Sequence, residues 1–389
     1  MDKRVSILPC PDYEPASCRS ALEAGVAAIG GLSWVKPGMR VGIKTNLVAG
    51  MAPEKAATTH PVLLRSFSEL LLEAGAGEVI IGDSPGGLYT VAALERVYKA
   101  AGLTAIETGR VRLNRDISVA EVKLPGARRI KTATVTGWLL HCDAVVNFCK
   151  LKTHGMMGLS AACKNLFGTI PGTMKPEYHY RFPVQTDFAH MLVDLNEFWQ
   201  TKLNVVDGVL AMEGNGPTAG SPKPMGLVAM SADPHGLDLL MANIIGLDPK
   251  SVPTLTAAME RELVPDHVEQ LEILGDWQGF RAPDFRLVAG RKSLRFDTVG
   301  GKRIGPLFAK AASKALATRP QVEKKDCIGC QKCRKVCPAK AITMARQRPV
   351  IDRKRCIRCF CCQEFCPVGA MKVHRTPLAR LLTGSQKES

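Results

Sequence analysis

The sequence predicts an α/β protein, with a largely parallel sheet and flanking helices, followed by a small C-terminal α+β module. Three observations predict it. Apolar runs of four to six residues alternate with amphipathic helical patterns over the first 290 residues, which is the mark of a parallel sheet. Composition changes near Gln321. Eight of the fourteen cysteines then fall into two runs of identical spacing.

The elements follow in order. SCRSALEAGVAAI, 17–29, has a helical apolar pattern, and MRVGIKTNL, 39–47, reads as a buried strand entering a loop. PVLLRSFSELLLEAG begins with Pro61 and stops at Gly75, so it reads as a helix with both ends marked. EVIIGDSPGG, 78–87, is a strand with a Gly/Pro turn, and TVAALERVYKAAG, 90–102, a helix stopped by Gly102. TAIETG, 104–109, reads as a strand, DAVVNFCKL, 143–151, as another, and GLSAACKNLFG, 158–168, as a helix. TDFAHMLVDLNEFWQ is a helix, LNVVDGV a strand, and GLVAMSA with DPHGLDLLMANIIG a strand–helix pair. HVEQLEIL and DFRLVAG are strand-like, and GPLFAKAASKALATRP is a basic helical stretch. The expected boundaries are an α/β domain at 1–290, a basic linker or bridging helix at 291–320, the cysteine-rich module at 321–376 and a basic tail at 377–389.

Charge is unevenly spread. Residues 291–389 hold 24 Lys/Arg and 6 Asp/Glu, whereas residues 1–290 hold 28 and 30. The net +16 of the chain therefore belongs to the C-terminal quarter. A basic face fits an acidic partner protein. Nucleic acid is disfavoured, because Phe360 and Phe365 are the only aromatics after residue 320. No run of about 18 apolar residues occurs, and the first residues show no apolar leader. The expectation is a cytoplasmic chain with reduced thiols and no membrane span.

The runs are C-x2-C-x2-C-x3-C-P at Cys327, Cys330, Cys333 and Cys337, and again at Cys356, Cys359, Cys362 and Cys366, offset by 29 residues. Three thiolates two residues apart can wrap one face of an iron–sulfide cube, while the fourth, beside Pro, closes the cluster of the other half. Two [4Fe-4S] clusters are expected: one on Cys327, Cys330, Cys333 and Cys366, the other on Cys356, Cys359, Cys362 and Cys337. Zinc knuckles are disfavoured, since zinc sites use cysteine pairs. The repeat aligns Cys361 with Lys332, so Cys361 is read as a non-ligand. AITM and PVID suit a short hairpin between the runs. About 55 residues resemble the bacterial two-cluster ferredoxins, with all eight ligands present.

The first domain offers a constellation of a different kind. Lys44, Asn46, Asp83, Lys150, Lys152, His154, Asp207 and Glu213 follow predicted strands, and Lys164 and Asn165 lie ten residues further on. Carboxyl ends of parallel strands are where α/β ligands bind. The lysines suit an anionic carboxylate or phosphate. Cys149 and Cys163 read as small buried hydrophobes rather than metal ligands. No phosphate-loop motif and no G-x-G-x-x-G after a strand is present.

KTNLV at 44–48, THP at 59–61, GDSPGG at 82–87, KLKTHGMMGLSAACKNLFG at 150–168, IPG at 170–172 and DGVLAMEGNGPTAG at 207–220 resemble the family catalogued as domain of unknown function 362. The likeness spans roughly 35–245, and that family is often fused to a two-cluster ferredoxin domain. It implies that these residues hold motif positions without assigning them roles. The resulting expectation is an iron–sulfur redox protein that moves electrons to or from an anionic ligand. Lys44, Asn46, Lys150, Lys164, Asn165, Asp207 and Glu213 would bind it, with Lys152, His154 and Asp83 in catalytic roles. The alternative is a non-enzymatic electron-transfer or maturation protein whose first domain docks a client.

Overall fold

The computed structural model describes residues 3–288, 298–299, 302–303 and 318–374. Its strands, in chain order, are β1 (Val5–Pro9), β2 (Arg40–Lys44), β3 (Glu78–Gly82), β4 (Val111–Leu113), β5 (Val119–Lys123), β6 (Thr132–Thr136), β7 (Ala144–His154), β8 (Gly158–Ser160), β9 (Leu203–Glu213), β10 (Ser221–Ser231) and β11 (Ile273–Leu274). β5 and β6 form a separate hairpin. The others form a nine-stranded sheet of order β11-β1-β10-β9-β7-β2-β3-β4, with β8 on the end of β7. β9, β7, β2, β3 and β4 run parallel, so the sheet is largely parallel as predicted. β10 runs antiparallel to β9 and to β1.

The helices are α1 (Pro15–Ala28), α2 (Pro61–Glu73), α3 (Val91–Ala100), α4 (Gly137–Leu140), α5 (Ala162–Asn165), α6 (Lys175–Arg181), α7 (Gln185–Trp199), α8 (Pro234–Ile244) and α9 (Pro253–Met259). Proline at the first turn sets φ for α1, α2, α8 and α9 without losing a needed N–H. Side-chain alternation in β7 decides the layers. Val146 and Phe148 meet Leu63, Phe67 and Leu22 from α2 and α1. Cys149 and Leu151 meet Leu237 and Leu240 from α8. Each fully buried Leu or Phe stabilises by roughly 1.5–3 kcal/mol.

Four expectations about local structure are corrected. Residues 104–109 hold no strand: Leu103–Ile106 is a 3-10 turn, started by Gly102 at φ +70°, that buries Leu103 and Ile106 together. Residues 158–168 are not one helix. β7 runs on to His154 and turns back as β8, and α5 begins only where the Asp238 carboxylate accepts from Ala162 N (2.7 Å) and Cys163 N (3.1 Å). Of HVEQLEIL, only Ile273 and Leu274 pair, with β1. DFRLVAG has no strand in residues 284–288. The sequence reading missed the first half of β10, where SPKPM carries two prolines.

In the C-terminal module Arg319–Val322 pairs with Met371–His374, and Ile342–Ala345 with Arg348–Ile351 as the expected hairpin. Arg319 and Pro320 thus belong to a strand of the module rather than to a linker. The basic stretch 305–317 and the tail 377–389 lie outside the described residues.

Candidate functional site

Lys150, Lys152 and His154 occupy positions i, i+2 and i+4 of β7, so one face of that strand turns polar at its carboxyl end. β2 delivers Lys44 beside it and β3 delivers Asp83 through the parallel pairing Lys44↔Gly82. β9 sets Asp207 opposite Lys150 in register. Parallel pairing is therefore what gathers residues far apart in the chain. They separate into three groups.

The first group closes on itself. Lys150 Nζ lies 2.8 Å from Asp207 Oδ2 and donates to Tyr13 Oη at 2.7 Å. Tyr13 donates to Asp207 Oδ1 at 2.9 Å and accepts from Leu210 N at 3.1 Å. His60 N donates to Asp207 Oδ2 at 2.9 Å, and the His60 ring stacks on Tyr13 with centroids 3.6 Å apart. Lys150 and Asp207 were expected to hold a ligand. The geometry instead makes them an internal ion pair, because each charge is already met. Glu213 is likewise met by Arg286, 2.9 Å from its N and 2.7 Å from its Nε. No signal in the sequence marked Tyr13.

The second group is a buried network. Lys44 Nζ lies 2.8 Å from Asp83 Oδ1 and donates to Thr45 O (2.6 Å) and Asn165 Oδ1 (3.2 Å). Asp83 accepts from Leu47 N and Ser84 N, both at 2.8 Å. Asn165 Oδ1 also accepts from Asn46 Nδ2 at 2.7 Å. Lys152 Nζ donates to Asn46 Oδ1 (2.5 Å) and Ala57 O (2.7 Å). Among the described residues Lys152 has only carbonyl partners. Burial first, then the charges of Lys150 and Lys164, push it down to about 7. The folded chain therefore holds this proton less tightly than the unfolded chain, whose lysine sits near 10.5. Stability should rise with pH between those two values. Denaturant titrations at pH 7 and pH 9 test this: Lys152→Met should flatten the rise, and parallel curves for the two proteins would sink it.

The third group joins the two domains. His154 Nδ1 accepts from Met156 N and Met157 N, both at 3.1 Å, and Nε2 lies 2.9 Å from Glu364 Oε1. Glu364 belongs to the helix Cys361–Glu364 in the second cysteine run. Burial raises its pKa, but His154, Lys164 and His179 outweigh that and hold it below the usual carboxylate range. Lys164 lies over the Phe167 ring, 4.7 Å from its centroid. Lys175 donates to Ser84 O and to Ile170 O, and burial pushes it down to about 7. Gln363 Nε2 donates to Asn215 Oδ1 (2.9 Å) and Gly216 O (3.0 Å), and Thr218 Oγ1 to Glu364 O (3.3 Å). Gly86 has no side chain because Phe365 occupies that space. The ferredoxin-type module thus roofs the strand ends. Lys175, His179, Gln363 and Glu364 were missed, since nothing local in the sequence ties them to β7. Cys149 and Cys163 are buried in separate apolar clusters, and burial raises both thiols.

The cysteine runs keep their 29-residue offset in the backbone. Gly329 and Arg358, then Gln331 and Phe360, are left-handed at equivalent positions. Cys327, Cys330, Cys333 and Cys366 line one cavity, walled by Val322, Ile328, Met344, Pro349, Pro367 and Met371. Burial, then the charges of Cys359 and Cys337, raise the Cys356 thiol, so Cys337 stands with the second run. Thiolate donors in an apolar wall suit a [4Fe-4S] group. Cys330 is exposed, whereas Cys359, Cys361 and Cys362 are buried. Among the described residues no three His, Cys, Asp or Glu groups gather closely enough for a single metal ion.

Residues 41–243, just over half of the chain, match the family model described as "Domain of unknown function (DUF362)". The chain belongs to that family. The DUF362 region is followed by a match to a 4Fe-4S dicluster domain at residues 319–367, so the chain is a fusion of the two and a [4Fe-4S]-binding protein. A thylakoid-associated protein of Synechocystis sp. is 32% identical over 277 residues, covering 69% of this chain and 83% of that protein. A Thermotoga maritima protein of solved structure aligns at 13% identity and TM-score 0.35, covering 53% of this chain and 52% of its own. The lactate racemase apoprotein of Thermoanaerobacterium thermosaccharolyticum aligns at 10% and 0.35, covering 55% and 51%. This DUF362 chain thus spans about half the length of those two structures, and at that similarity neither carries an argument. Among the described residues no helix is long and apolar enough to cross a membrane.

Proposed function

We propose that this DUF362 protein is an iron–sulfur redox protein in which two [4Fe-4S] clusters exchange electrons with an anionic ligand at the roofed strand ends. The observation that carries the reading is the 2.9 Å contact between His154 Nε2 and Glu364 Oε1, which ties the second cysteine run to the polar face of β7. Cys327, Cys330, Cys333 and Cys366 would hold one cluster, and Cys356, Cys359, Cys362 and Cys337 the other. When bound, the clusters supply single electrons. The exposed Cys330 side faces outward, and Ile328 beside it is 63% exposed. Lys324, Lys325, Lys332, Arg334 and Lys335 are exposed near it, a basic rim suited to an acidic electron-donor or electron-acceptor protein. The second run faces inward.

His154 is placed to hold or pass a proton. Its Nδ1 is fixed as an acceptor, so a proton sits on Nε2, toward Glu364. Lys152 and Asp83 stand behind it as cation and carboxylate. Reduction of most organic substrates takes up protons with electrons, which gives such a pair its use. Eight thiolate ligands call for a reducing compartment such as the cytoplasm.

Anaerobic reconstitution should yield about eight irons per chain and EPR signals of two clusters after dithionite. Reoxidation of the reduced protein by a small-molecule cell extract should fail in Lys152→Ala and His154→Ala, with both EPR signals intact. Clearly fewer irons would refute the ligand sets. Reoxidation only by the protein fraction would favour the client-docking reading.

A further inference from the structure

The charges under the roof do not balance among themselves. An ammonium carries three N–H donors. Those of Lys44 are matched by Asp83, Thr45 and Asn165. Lys152 and Lys175 each have two carbonyl-oxygen acceptors and, among the described residues, no carboxylate in ion-pair range. Lys164 has the Phe167 ring face and no hydrogen-bond acceptor among the described residues. Two carboxylates, Asp83 and Glu364, act electrostatically on all three lysines; Asp83 is already paired with Lys44 and Glu364 with His154. With Lys44 and Asp83 cancelling, protonated Lys152, Lys164 and Lys175 would face Glu364 alone, leaving about two positive charges uncompensated in a largely buried region. That is unfavourable, which is why Lys152 and Lys175 are pushed down to about 7, and an anion joining them would hold all three charged.

Polar groups without partners lie on the same segments or next to them. Thr45 Oγ1, Ser84 Oγ and His179 Nδ1 are buried and make no hydrogen bond among the described residues. Thr45 follows Lys44, and Ser84 gives its carbonyl to Lys175. His179 acts electrostatically with Lys164, Lys175, His154 and Glu364. Native interiors rarely leave so many buried polar atoms unmatched in one region. The space is small. A Cβ on Gly172 would strike the carbonyls of Pro85 and Gly87, and Phe365 fills the place beside Gly86.

We propose that this space binds a small oxyanion carrying two negative charges, of carboxylate or phosphate type, gripped by Lys164 and Lys175 with Lys152 behind them. The proposal rests on the redox reading above and deepens it by naming the ligand class and a cation, Lys175, outside the sequence motifs. The rival explanation is that the lysines offset the negative charge of the neighbouring iron–sulfur group and hold no ligand.

Calorimetry on the reconstituted full chain decides between them, with inorganic phosphate and malonate as probes and acetate and sodium chloride at matched ionic strength as controls. One or both dianions should bind, and acetate at least tenfold more weakly. The tighter of the two shows which oxyanion type the site prefers. Lys164→Gln and Lys175→Gln should each weaken binding roughly 10- to 100-fold. Lys175→Arg should recover part of it, and EPR spectra should stay intact throughout. Absence of dianion binding to the wild type overturns the proposal. So does unchanged affinity in both variants, and a shifted cluster potential in Lys164→Gln would then assign the lysines to the cluster. Dianion binding alongside redox-inactive clusters would support the site while ending the electron-transfer reading.

Discussion

Gly168→Ala is expected to disrupt the strand-end network more than any substitution of a surface residue. An added Cβ would sit inside the contact radius of Asp83 Oδ1 and of both Cε and Nζ of Lys44. These atoms cannot give way freely. Asp83 is fixed by Leu47 N and Ser84 N, and Lys44 by Asn165. Overpacking of this kind destabilises by roughly 1–3 kcal/mol. The loss should be larger if the Lys44–Asp83 pair is prised apart, because a buried charge would then lose its partner. Denaturant unfolding measures the change. A Gly168→Ala protein of wild-type stability, with unaltered dianion affinity, would show that the network is loose rather than packed. Gly168 lies in KNLFG, so this prediction also gives a physical reason for one motif glycine.

Cys337→Ser is expected to remove the cluster of the other cysteine run. Although Cys337 ends the first run, it stands with Cys356 and Cys359, and it acts electrostatically on Cys362. Iron content should fall by about four atoms, with one EPR signal lost and the other kept. Cys361→Ser, one residue from the proposed ligand Cys362, should leave both signals. Cys361 is buried, and its repeat equivalent is Lys332. Loss of a cluster in Cys361→Ser with retention in Cys362→Ser would reverse the assignment. Because Glu364 follows Cys362 by two residues, loss of this cluster should also loosen the roof over His154. Faster hydrogen exchange at residues 154–157 would report it.

Periodicity made most of the α/β layer legible, because β2, β3, β7 and α2 carry their own apolar patterns and stops. It failed where a distant group sets the structure. α5 begins at Ala162 because Asp238, 76 residues away, accepts its first N–H groups. The cysteine repeat was legible for a related reason: its ligands are close in sequence, so spacing alone encodes the geometry.

The strand-end residues illustrate the limit. Sequence by itself determined that Lys44, Asp83, Lys150, Lys152 and His154 lie toward the carboxyl ends of strands, since each follows its own apolar run, whereas Asp207, expected just after a strand, lies in the middle of β9. Only the tertiary structure decided what each one meets there. Strand register joins Lys150 to Asp207, with Tyr13 completing the group, so their charges meet each other, while it leaves Lys152 among carbonyls. Docking of the second cysteine run sets Glu364 against His154, more than two hundred residues away in the chain. A charge's position along a strand is local information. Its partner is fixed by packing across the whole fold, and the partner decides whether the charge is structural or available for chemistry.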